Sequence, residues 1–153
     1  MTTLMNFLFP APPRETQVSL FLFAMRLLFG ILLISHGIQK WMNFEHLSTT
    51  FPDPIGIGSE YSLYLAIFGE VICSVAFIFG FLYRLAMIPM IITMAVAFFV
   101  IHGNDPFAQK ELAFIYLLVF IFMYAIGPGR LSVDYMIWKK YVNIDLRKVR
   151  PLY

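Results

Sequence analysis

Residues 61–101 read YSLYLAIFGEVICSVAFIFGFLYRLAMIPMIITMAVAFFVI. Two apolar runs stand back to back, broken only at Arg84. A hydrocarbon core of ~30 Å takes about 20 apolar residues of helix, and each run approaches that length. With so little chain between them, the two helices must return on each other as an antiparallel hairpin. The spacing places one span from Tyr61 to Tyr83 and the next from Leu85 to Ile101. Working outward, Val18 to Trp41 forms a span before the hairpin and Leu112 to Ile126 one after it. The last two spans are short, which predicts little tilt or a polar end at the interface.

Composition agrees with four spans. The chain has 153 residues, 60% of them hydrophobic and 13% charged, with a mean hydropathy of +0.78. A soluble domain carries about 25% charged residues. The expected fold is therefore all-α: an integral membrane four-helix bundle in a single domain. The net charge is only +2 and the basic residues gather in the tail, which argues against a nucleic-acid partner. Cys73 is the lone cysteine, so no intrachain disulfide forms.

Three segments are expected. Residues 1–17 read as a retained cytoplasmic or interfacial leader. MTTLMNFLFPAPPRET has no basic start and no small-residue cleavage site. Phe7, Leu8 and Phe9 would dip into the interface, and Pro10, Pro12 and Pro13 oppose helix. Residues 18–127 hold the four spans. Residues 128–153 form a basic amphipathic tail. There Gly127, Pro128 and Gly129 end the fourth span and Ser132 caps a new helix, with Asp134 in its first turn. Tyr135, Trp138, Tyr141, Lys139 and Lys140 suit a helix lying on the cytoplasmic interface.

Lys and Arg set the orientation. Arg14, Arg84, Arg130, Lys139, Lys140, Arg147, Lys148 and Arg150 fall on one side, against Lys40 and Lys110 on the other. Both termini are thus expected in the cytoplasm. The 42–59 loop, with its FPDPIGIGSEY, then faces outward as an ordinary turn-rich loop.

Charges inside spans are costly, about 2.5–3.5 kcal/mol each on insertion scales, and mark function by default. Arg26 and Glu70 each fall near the middle of a span, and counting from opposite helix ends predicts a buried charge pair. Ser62, Ala66, Gly69, Cys73, Ala76 and Gly80 form a small-residue stripe on the second span, suited to close helix approach. On the first span Arg26, Gly30, Leu33, Gly37 and Lys40 share a face. The outward helix ends bring His36, Lys40, His102 and Glu111 to one depth, with Gln39 and Lys110 nearby. Such a layer could cap helix ends, or it could handle protons and bind a polar headgroup. A quinone suits it: donors for the carbonyls, a proton route, and a tail left in lipid. No two of these residues have a local metal-ligand spacing, so no metal site is expected.

The residues Arg26, Gly30, His36, Gly37, Gln39 and Lys40 spell R-x3-G-x5-HG-x-QK. With Glu70, GFLYR at 80–84, His102, Glu111 and GPGxxSxD at 127–134, the chain resembles the DoxX family of small four-helix membrane proteins. The resemblance covers about residues 20–135. It implies a bundle in a bacterial inner membrane. It further implies either a subunit of a quinone-linked oxidoreductase, such as a thiosulfate:quinone oxidoreductase, or a part in thiol and oxidative-stress homeostasis with soluble partners. No intrinsic cofactor is expected, since haem, flavin and iron–sulfur motifs are missing from the sequence; a redox partner subunit would carry electrons. The alternative is a non-enzymatic accessory, assembly or lipid- and partner-binding module. A transporter is disfavoured by the small helix count and the lack of an inverted repeat.

Overall fold

The computed structural model describes residues 14–142. The expected leader contacts of Phe7 to Phe9, and the tail charges Arg147, Lys148 and Arg150, lie outside the described residues. Four helices are long and apolar enough to cross a membrane: α1 (Glu15–Met42), α3 (Ser59–Phe79), α4 (Tyr83–Ile101) and α5 (Phe107–Ile126). The 42–59 loop contains a short helix, α2 (Phe44–Thr50), which the turn-rich composition had hidden. After the break at Gly127–Gly129 comes the short helix α6 (Val133–Ile137), continued among the described residues by a π turn, Trp138–Val142. The chain is thus a multi-pass, all-α membrane bundle.

The helix starts fall earlier than the sequence expectation, and so does the α3–α4 turn: α3 ends at Phe79 rather than Tyr83 and α4 starts at Tyr83, so Arg84 lies inside α4 and not in the turn. α1 starts at Glu15 rather than Val18, and α5 starts at Phe107 rather than Leu112. In both cases amphipathic turns rich in Glu, Gln or Lys extend the apolar run. Hydropathy marks the greasy part of a helix and not its hydrogen-bonded end.

The helices pack in the order α1–α3–α4–α5. The α3 stripe is the contact face: Ser62, Ala66, Gly69, Cys73 and Gly80 are all buried. Gly30 of α1 meets Phe77 and Ile78, and Gly37 meets Glu70 and Val71. A Cβ on Gly37 would stand 2.9 Å from the Glu70 Cβ, so only glycine lets the helices come this close. α1 and α5 are joined through side chains: Tyr116 sets its ring edge-on to Phe29, with centroids 5.8 Å apart, and to His36 at 6.1 Å. Phe77, Phe120, Met87, Met90 and Leu33 fill the core between them.

These contacts fix the α1–α3 register and correct the predicted pair of Arg26 with Glu70. α1 is displaced lengthwise against α3, so Arg26 lies level with the turn after Phe79, while Glu70 lies level with Gly37. The eleven residues from Arg26 to Gly37 span about 16 Å at ~1.5 Å per residue. Counting from helix ends failed because the two helices do not start and stop at the same depth.

Arg26 instead serves the end of the bundle that holds the α3–α4 turn. It is fully buried. Its Nη2 donates to the Leu131 carbonyl, and its guanidinium lies over the Phe23 ring, 5.4 Å from the centroid. Gly80 adopts φ +64, and a Cβ there would strike Arg26 and Ser132. Asp134 completes the latch. Its carboxylate accepts from the backbone N–H of Leu82 at 2.9 Å and of Tyr83 at 2.8 Å. Its own N–H donates to the Gly80 carbonyl at 2.9 Å. These bonds hold Leu82 at φ 45, a strained angle for a residue with a Cβ, and cap the start of α4. Ser132 caps α6 through Tyr135 N–H at 3.2 Å, as its sequence position predicts.

Candidate functional site

Glu70 is the acid of the central site. It sits in a single π turn, Phe68–Ile72, inserted in α3. Such turns add a residue to the helix and recur at functional sites. Eleven residues separate it from the start of α3, about 16 Å of helix, which is near the middle of a ~30 Å hydrocarbon core. Its partner is Lys40: Nζ donates to Oε2 at 2.6 Å, with the Glu70 side chain only 5% exposed and that of Lys40 26%. Lys40 could have snorkelled outward along the last turn of α1. It turns inward because Gly37, one turn before it, leaves room against Glu70.

Two cavities meet at this pair. One, of about 330 Å³, is bounded by α3, α4 and the 51–55 loop, with Leu65, Ala66, Ile92 and Val96 on its apolar walls. The other, of about 200 Å³, opens between α1, α4 and α5 and is lined by His36, Gln109, Leu112, Ala113 and Tyr116. Lys40, Glu70, Ala97 and His102 belong to both linings. The pair is the shared wall. A second π turn, Ala97–Ile101, ends α4 at this wall and places His102 directly after it.

Of the four residues expected in the headgroup layer, the structure brings three together. His36 lines the second cavity together with Lys40 and Glu70. His102 lines both cavities, and its Nδ1 is 2.7 Å from Asp105 Oδ2. Glu111 does not join them. It is exposed and lines neither cavity. The inward face of α5 runs through Gln109, Leu112, Ala113 and Tyr116, at helical spacing, and Glu111 falls off that stripe. Lys110 also turns away, donating to the Gly103 carbonyl at 2.8 Å. The layer is deeper than expected too: Lys40 reaches Glu70 near mid-span instead of meeting water.

The sequence reading did not single out Tyr116, Gln109 or Asp53. Tyr116 is 3% exposed and lines the second cavity together with Glu70. A signal for it existed, since a tyrosine amid apolar helix must find a partner for its hydroxyl. Asp53 organises the loop over the larger cavity. Its Oδ1 accepts from Ile57 N–H at 3.1 Å and Ser62 hydroxyl at 2.9 Å, and its Oδ2 from Gly58 N–H at 2.7 Å. The Gly58 bond, with the others, holds the Asp53 carboxyl below its usual range.

Among the described residues, no group of three or more His, Cys, Asp or Glu is placed to hold a metal ion. Cys73 is buried and free, a member of the packing stripe.

Comparison with known proteins agrees with this architecture. An uncharacterized protein of Haemophilus influenzae is 28% identical over 69% of this chain and 75% of its own length. A second from the same organism is 30% identical over 78% of this chain and 92% of its own. An uncharacterized membrane protein of Mycobacterium tuberculosis is 30% identical over 75% of this chain and 80% of its own. No solved structure gives a significant match. The DoxX family profile matches residues 21–103, which hold α1, α3, α4 and the central ion pair. The chain belongs to the DoxX family.

Proposed function

We propose that the protein is the membrane subunit of a quinone-linked oxidoreductase or redox-homeostasis system. It would act in a bacterial cytoplasmic membrane with both termini on the cytoplasmic side, where α6 would lie along the interface. One observation carries the reading: a Lys–Glu pair near mid-span forms the wall between an apolar cavity and a polar one. A quinone fits that donor set. Its carbonyls accept hydrogen bonds, and Lys40 Nζ, the His36 and His102 rings and the Tyr116 hydroxyl surround the wall as donors. Its apolar body suits Leu65, Ala66, Ile92 and Val96.

A bound quinone would supply two-electron, two-proton chemistry. The chain would do the rest: Lys40 and His102 orient the head, the apolar walls exclude water, and Glu70 holds or releases a proton at its carboxyl oxygens. Electrons would arrive from a partner subunit.

A specific feature favours the second reading, a non-enzymatic accessory or assembly module. Lys40 and Glu70 neutralise each other's charge, as a purely structural clamp between α1 and α3 would. Mass spectrometry of the protein purified from its own membranes in mild detergent separates the two. A near-stoichiometric quinone is expected in the wild type, and it should be lost in Tyr116→Phe and Glu70→Gln proteins that still melt cooperatively. A protein or lipid partner without quinone would overturn the redox reading and leave the accessory module.

A further inference from the structure

The larger cavity is closed above and below but open at its side. Above, the 51–58 loop forms a roof: Phe51, Pro52, Pro54 and Ile55 line the cavity, and Asp53 ties the loop to α3 through Ser62. Below, Gly69 of α3 meets α4 so closely that a Cβ would stand 2.7 Å from Thr93 Oγ1 and 3.4 Å from the Pro89 carbonyl oxygen. Between roof and floor, the α3–α4 gap is flanked by Leu65 and Ile92. These cavity-lining residues are 53% and 56% exposed on the outside of the bundle. They belong to spanning helices, so what they face there is lipid.

Resting on the site just described, we infer that its ligand enters sideways from the bilayer, between α3 and α4 beneath the roof. The occupant is then a lipid-soluble molecule with a hydrocarbon chain and a small polar head, and not a solute arriving from water. The head meets a matched pair of groups. Lys40 keeps N–H donors beyond the one given to Glu70 Oε2. Glu70 Oε1 has no hydrogen-bond partner among the described residues. The carbonyl of an oxidised quinone head accepts from Lys40, and the hydroxyl of its reduced quinol form donates to Glu70 Oε1, while the chain lies along Leu65 and Ile92 and trails into lipid.

The test uses the full-length protein in lipid nanodiscs and an azido-benzoquinone with a decyl tail as photoprobe, with excess decylubiquinone as competitor. Competable labelling of α3 or α4 peptides lining the larger cavity is expected. Leu65→Trp and Ile92→Trp place a large ring across the portal and should cut labelling about tenfold. Ile121→Trp, on an exposed part of α5, should leave it unchanged. All three positions are exposed, so the fold tolerates the larger side chain, and a melting curve verifies it. Undiminished labelling in both portal variants, or labelling only of α5 around Gln109 and Tyr116, would overturn side entry while leaving a quinone site in place. No competable labelling of the wild type would overturn the quinone site and the side entry together.

Discussion

At Glu70 the decisive fact is its partner. A buried charge left alone costs about 3–5 kcal/mol once its counter-ion is removed. Lys40→Met and Glu70→Gln should therefore each lower the melting temperature in detergent, and the double variant should lose much less than their sum. Combining Arg26→Met with Glu70→Gln should give additive losses, because Arg26 lies about 16 Å along the bundle from the pair. Coupling between Arg26 and Glu70 would contradict the register described above. Gly80 tests the other end. With φ +64 and Arg26 against its missing side chain, Gly80→Ala should cost more than about 1 kcal/mol, where an exposed helical position such as Ile72 should tolerate alanine better.

Among the elements, the latch and the roof carry separate duties. Asp134 caps α4 from a different segment, so Asp134→Ala should cost about 0.5–2 kcal/mol, the usual range for a lost helix cap. It should also speed protease cleavage between Gly127 and Trp138, read by mass spectrometry, while leaving the Lys40–Glu70 site intact. The roof should respond to pH. The Gly58 N–H and its neighbours hold Asp53 below its ordinary value of 3.8. A depressed carboxylate stabilises the loop above that ordinary value, and the contribution is lost as pH falls through the lower folded value. Protection factors of residues 51–58, taken against the intrinsic exchange rate at each pH, should thus stay high at neutral pH and fall only on strong acidification. Asp53→Asn should exchange faster at neutral pH and lose that acid step.

For the whole molecule, orientation is the property to measure. If the termini are cytoplasmic, the 51–58 roof faces outward and the Arg26 latch inward. Cys73 is buried, so introduced cysteines report without removing it. Ile55→Cys should react with a membrane-impermeant maleimide on intact spheroplasts, and Met136→Cys only after lysis. The reverse pattern would invert the topology while keeping the bundle.

The order of apolar runs, the tight hairpin between the second and third spans, the small-residue stripe of α3 and the cap at Ser132 are all legible in the sequence. Each depends on local periodicity or on a residue's own backbone preference, and the DoxX motifs name the positions where these features fall. Pairing was not legible. Whether Glu70 meets Arg26 or Lys40 depends on how far α1 slides along α3, and Gly30 and Gly37 set that slide by the helices they admit. The depth of the site, the exclusion of Glu111 and the inclusion of Tyr116 follow from the same register and from helix rotation. Sequence settled which residues had to be buried, because lipid rejects exposed charge. Tertiary structure decided which buried charge each one meets, because that choice is made by packing between helices distant in the chain.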